Sequence, residues 1–141
     1  MVDIKKCSNE ITMLANLSEL LHNGEIIQAA IYCMFKKTGF FVKSNYVSYG
    51  HIAITNQNRL VGYMINRFNE MSIVSLDMNF PTKVKISKTI FGQKLFYISV
   101  DDGKKSKAKF QVALRDCSGR FPNQKRNLEL IFNMLKLKQN L

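Results

Sequence analysis

Three stretches in the second half of the chain alternate strictly between apolar and polar residues, and a period of two leaves little but β-strand open to them. Val84 and Ile86 alternate with Lys83, Lys85 and Ser87. Phe96, Ile98 and Val100 alternate with Tyr97 and Ser99, and Ala108, Phe110, Val112 and Leu114 with Lys107, Lys109 and Gln111. Each stretch has one face for a core and one for water, the pattern of antiparallel strands covered on one side. The Asp101-Asp102-Gly103 sequence between the last two is suited to a tight hairpin turn.

The same period starts earlier. Ile27, Ala29, Ile31, Cys33 and Phe35 form one apolar face, with Gln28 and Tyr32 directed the other way. A second strand is expected from about Tyr49 to Thr55, with Ile52 and Ile54 inward, and Asn56-Gln57-Asn58 as its turn. A third runs from Arg59 to about Phe68, and a fourth from Met71 to Met78 with Ile73, Val74 and Leu76 as its apolar content. Pro81 ends it, because proline removes a backbone donor. Seven short strands with no helix between them favour an antiparallel barrel or sandwich over a parallel sheet.

Helical spacing brackets these strands. Ile11, Leu14, Leu17, Ser18 and Leu21 share one side of a first helix, with Ser8 or Asn9 as N-cap and His22-Asn23-Gly24 as the stop near Leu21. At the other end Leu128, Ile131, Phe132 and Leu135 fall at i, i+3, i+4 and i+7 behind Phe121-Pro122-Asn123, an amphipathic helix with proline near its start. Leu130, Met134 and Leu137 lie on its flank, either widening a buried face or offering a contact to a second copy. The expected class is mostly β with flanking helices (α+β), in one domain spanning residues 1–141. Residues 1–22 would be the helical lead and 23–137 the seven strands with their capping helix. With 46% hydrophobic residues such a domain can bury a core without metal or disulfide support.

The chemistry needed for catalysis is sparse. Two histidines, His22 and His51, and three cysteines, Cys7, Cys33 and Cys117, fall in no catalytic or zinc-binding spacing. Cys117-Ser118-Gly119 is more simply a turn. No phosphate-cradling loop, metal or cofactor site is expected, and the chain reads as non-enzymatic. No secretory signal pattern opens the chain, and its longest near-apolar stretch, Ile26 to Phe35, is about half the roughly 20 residues of a membrane-spanning helix. Unpaired cysteines fit a reducing compartment, so a cytoplasmic location is expected.

Charge is the extreme property. Twenty-one Lys and Arg against ten Asp and Glu give +11, and from Lys83 to Arg126 twelve basic residues stand against three aspartates. Such a field favours polyanionic partners: phosphorylated lipid, nucleic acid or an acidic protein. Lys83, Lys85, Lys107 and Lys109, outward on neighbouring strands, point to phosphate-driven nucleic-acid binding. Lysines outnumber arginines 16 to 5, and arginine is the residue that reads guanine edges, so any such binding would be blind to sequence.

Seven antiparallel strands followed by one amphipathic helix, with Gly50-His51-Ile52-Ala53-Ile54-Thr55-Asn56 leading to Arg59-Leu60, resemble bacterial pleckstrin-homology-like and GRAM-like domains over roughly Asn23 to Leu137. Leu21-His22-Asn23-Gly24-Glu25 matches the Leu-x-x-Gly-Glu that often precedes the first strand there. Thr55-Asn56-Gln57-Asn58-Arg59-Leu60 follows the Thr-Asn-x-Arg-Leu turn with one residue more, and Thr55, Asn56 and Arg59 are taken as markers of the fold, not of a ligand site. The resemblance implies a basic rim where three strand connections gather: Lys36, Lys37 and Lys43, then Arg67, then Lys104, Lys105 and Lys107. Phe40 and Phe41 between the first lysines would be the membrane contacts, since basic residues beside aromatic ones suit an anionic surface. The implied function is an adaptor docking to such a surface, with peripheral membrane attachment, or to a protein partner. Nucleic-acid binding and self-assembly into a homo-oligomer through an open strand edge are the alternatives.

Overall fold

The computed structural model describes residues 9–36, 47–66, 68, 70–88, 94–112 and 120–139. A helix α1 (Glu10–Ser18) precedes seven strands: β1 (Ile27–Lys36), β2 (Val47–Thr55), β3 (Arg59–Ile65), β4 (Met71–Asp77), β5 (Thr82–Lys88), β6 (Lys94–Val100) and β7 (Ser106–Val112). A helix α2 (Gln124–Gln139) follows. The strands form one antiparallel sheet in the order β4-β3-β2-β1-β7-β6-β5. The period-two segments are all strands, and the two helical patterns are helices at the expected ends.

β1 is the hinge of the sheet. It pairs with β2 from Ile27–Thr55 to Lys36–Val47, and among the described residues with β7 at Met34–Gln111 and Phe35–Phe110. Nearer the start of β1, backbone groups of Ala30 and Tyr32 find partners outside the strands. Side-chain amides of α2 supply them. Tyr32 N–H donates to Gln124 Oε1 at 3.0 Å, Gln124 Nε2 donates to Tyr32 O at 2.8 Å, and Asn127 Nδ2 donates to Ala30 O at 3.0 Å.

The β1–β4 and β5–β7 halves bury one shared core, to which Ile31, Ile52, Ile54, Leu60, Phe96, Ile98 and Phe110 contribute from the strands and Leu128, Ile131 and Leu135 from α2. Phe96 and Phe110, partners across β6 and β7, stack at 5.0 Å between ring centroids. Phe132 is packed against this core only partly buried, and Lys94 Nζ lies 3.5 Å over its ring. Leu130 and Leu137 are exposed, while Met134 packs against the core.

The alternation rule fails on the first half, where both faces are buried. A second cluster of Met13, Leu17, Ala30, Ala53, Val61, Tyr63 and Phe121 lies on the opposite side of β1–β3, under α1. Asn9 caps that helix, its side chain accepting from Thr12 N–H at 2.9 Å, and Glu10 holds Asn123 at 2.7 Å, tying α1 to the start of α2. The buried stripe is Met13 and Leu17, whereas Ile11, expected inward, is 82% exposed; the helix ends at Ser18, before Leu21. Ile73 on β4 is likewise outward, 59% exposed, because it sits beyond the reach of α1 on the outermost strand. Space between β2 and β3 is tight: a Cβ at Gly50 would lie 1.9 Å from the Tyr63 carbonyl oxygen, so only glycine fits. The third strand stops at Ile65, and Leu114 lies outside the described residues.

Candidate functional site

On β5–β7 the alternation holds as far as Lys109; Gln111, expected on the wet face, is buried where β7 pairs with β1 at Met34. Valine, isoleucine, phenylalanine and alanine turn inward, and the residues between them form an outer face in cross-strand register. One row is Lys83 on β5, Ser99 on β6 and Lys107 on β7; the next is Lys85, Tyr97 and Lys109. Neighbouring strands lie about 4.8 Å apart and alternate residues about 6.7 Å, so the four lysines mark the corners of a patch roughly 10 by 7 Å with Tyr97 and Ser99 between them. Lys83, Lys85 and Lys107 are exposed, and Lys109, Tyr97 and Ser99 half-buried.

This face is concave. Lys83, Lys85, Tyr97, Ser99, Lys105, Lys107 and Lys138 help line an open groove of about 780 Å³. A smaller hollow of about 320 Å³ adjoins it, sharing Lys85 and Tyr97 and adding Lys109. Lys138 reaches it from the end of α2, its ammonium donating to Met78 O at 3.2 Å. Asp101 at the groove's edge is its acidic lining residue.

The connection from β6 to β7 positions the end of the groove. It runs through five residues, not the tight turn expected, with Gly103 (φ 83°) and Lys105 (φ 52°) both left-handed. Asp102 holds it: its carboxylate accepts from Lys104 N–H at 2.9 Å and Ser106 Oγ at 2.8 Å, and these bonds, the serine's foremost, keep the carboxyl below its ordinary pKa. Asp101 N–H donates to Pro81 O at 2.8 Å, fastening the loop to the β4–β5 turn.

The lysines expected at one rim divide accordingly. Lys104 and Lys105 project exposed from this connection and Lys107 from β7, and Lys105 and Lys107 join Lys83 and Lys85 along the groove. Lys36 is the last residue of β1 rather than part of a loop. Lys37, Lys43, Arg67, Phe40 and Phe41 lie outside the described residues. Lys138 was not expected here, because its helix is distant in sequence; a lysine at the polar end of an amphipathic helix carries no signal of the sheet edge it will meet.

The motif residues of the resemblance meet one another instead. Glu25 is buried, and its carboxylate pairs with Arg59 Nη1, accepts from the Thr55 hydroxyl at 2.5 Å and from His22 N–H at 2.8 Å. Burial alone would push this carboxyl up, but the bonds from Thr55, His22 and Arg59 outweigh it and hold the pKa below the ordinary value. Asn56 Oδ1 accepts from Ile26 N–H at 2.8 Å, and Arg59 Nη2 reaches Ser75 Oγ at 3.0 Å. Leu21–Glu25 and Thr55–Arg59 are thus two halves of a latch, buried at Glu25 and Thr55, that holds the entry to β1 against the β2–β3 turn.

Of the described histidines and cysteines, His51 and Cys33 are enclosed and His22 is exposed. His51 is buried against the rings of Tyr63, Tyr32 and Phe121, at 5.2 to 5.6 Å between centroids, and burial lowers its pKa to about 4. Cys33 is buried, which raises its thiol well above the ordinary range and removes it from nucleophilic chemistry at neutral pH. Among the described residues no three His, Cys, Asp or Glu gather to hold a metal ion, and no helix is long and apolar enough to cross a membrane. Comparison with family models, with curated proteins and with solved structures finds no match to this chain.

Proposed function

We propose that the protein is a non-enzymatic docking module of pleckstrin-homology-like fold that takes an anionic partner on the outer face of β5, β6 and β7. The fold part of this reading is supported by the order of seven antiparallel strands and a closing helix, and by the Glu25–Thr55–Arg59 latch built from the residues that carry the resemblance. The functional part rests on one observation: the rows Lys83–Ser99–Lys107 and Lys85–Tyr97–Lys109, concave and continuous with Lys105 and Lys138.

Ammonium groups this close repel one another, so the face gains most from a ligand with several negative charges that displaces its counterions. Neutralising four phosphates of a single-stranded polyanion would weaken binding about fiftyfold between 50 and 200 mM salt.

Lys85→Glu/Lys109→Glu, compared with Lys125→Glu/Lys136→Glu on α2, separates this face from net charge alone, since both pairs change the charge equally. Titration with heparin, a polyanion without lipid or base, should show salt-dependent binding that the first pair abolishes and the second spares. Absence of heparin binding at 50 mM salt, or equal loss in both variants, would refute the reading.

A further inference from the structure

We infer that the anionic ligand of this face is single-stranded nucleic acid, its phosphates held by the lysines and a base resting on Tyr97. The inference depends on the polyanion reading above and adds the ligand class. Three features of the groove select it.

The first is shape. A lipid bilayer presents a plane, which touches the borders of a concave face and leaves its floor empty. A flexible strand follows the floor. The groove and the smaller hollow share Lys85 and Tyr97, so the concavity continues across that row toward Lys109.

The second is the position of the aromatic ring. Tyr97 stands on the central strand with Lys85 and Lys109 as its register partners on either side. A stacked base would therefore have a cation within reach of the phosphate on each side of it. Polyanions without bases, such as sulfated sugars or phosphorylated headgroups, have little to place on a ring there. Stacking accepts any base, because every base has a π-face.

The third is the type of polar group. Among the described residues, the donors that line the face are lysine ammoniums and the hydroxyls of Thr82, Ser87, Tyr97 and Ser99, with no arginine. An ammonium on a four-carbon stem is a mobile point charge suited to phosphates, and it lacks the planar fork that reads base edges. Binding should be indifferent to sequence.

The test uses the full chain with three fluorescent ligands of equal length or charge: a 12-residue oligothymidylate, a 12-residue abasic oligonucleotide with the same backbone, and heparin. Vesicles containing anionic lipid form a fourth arm. The wild-type chain should bind oligothymidylate at least about fivefold more tightly than the abasic strand, the effect of stacking one base. Tyr97→Thr, which keeps a good strand former, should erase that difference and leave heparin affinity unchanged, while Tyr97→Phe preserves it. Equal affinity of the wild type for the thymidylate and abasic strands overturns the inference, as does a preference for anionic vesicles over oligothymidylate; either result leaves the polyanion reading intact. Failure to bind heparin at 50 mM salt would remove both.

Discussion

At the residue scale, two buried ionisable side chains determine how the fold responds to substitution and to acid. Arg59→Met leaves the Glu25 carboxylate enclosed without its cation, and breaking a buried pair from one side costs about 3–5 kcal/mol. Urea unfolding should show that loss for Arg59→Met, and a smaller one when Glu25→Gln accompanies it, because the double variant strands no charge. Glu25 stabilises the fold at neutral pH, and that contribution fades as the pH falls through its lowered folded value. His51 acts at higher pH. Free in the unfolded chain it takes a proton near pH 6.5, while in the fold it resists until about 4. The unfolded state binds the extra proton throughout that window, so stability should fall by about 3 kcal/mol from pH 6.5 to 4. Thermal or urea unfolding across that window should show the slope in the native chain and lose it in His51→Phe. Neither role was visible in spacing alone: the resemblance flagged Thr55 and Arg59 as markers of the fold, but only the three-dimensional meeting with Glu25 explains why those residue types stand there.

At the scale of elements, what the sequence expresses is periodicity, and what it withholds is which neighbour covers the second face. β1 and β5–β7 were legible because alternation is local, β2–β4 from apolar runs between turn residues, and α2 because its i, i+3, i+4, i+7 pattern is strong. The apolar outer face of β1–β3 was not, since Ala30, Ala53 and Val61 sit at positions where an exposed sheet would carry polar groups, and only the docking of α1 makes sense of them. The same cause misassigned Ile11, which has the right spacing for a core stripe but the wrong side of the helix for the sheet beneath it. The partial pairing of β1 with β7 was also invisible, and with it the task of Gln124 and Asn127, which complete a strand edge from a helix. Gln124→Leu fills similar space but removes the amide that bonds the half-buried Tyr32 N–H and C=O, at about 1–3 kcal/mol for each bond. Chemical denaturation should report a loss of about 2–6 kcal/mol for the two bonds together, with the helical signal of α2 weakening at lower denaturant than that of the sheet; an unchanged midpoint would mean that water replaces the amide freely.

At the scale of the whole molecule, the candidate site was half legible. Outward Lys83, Lys85, Lys107 and Lys109 follow from alternation, and the concentration of basic residues after Lys83 from simple counting. The concavity, the placement of Tyr97 between the rows and the arrival of Lys138 required the fold, because curvature of a sheet and the docking point of a helix depend on residues far apart in the chain. The two halves of the sheet also differ in how many faces they bury: β1–β3 are enclosed on both, β5–β7 on one. That asymmetry sets the tolerance of each half to replacement. Side chains of the first half have a neighbour on either side to satisfy, and glycine at position 50 admits no alternative. Along β5–β7 the outward Lys83, Lys85 and Lys107 are exposed, so their chemistry can be rewritten, lysine to glutamate, while the architecture beneath is left as it was.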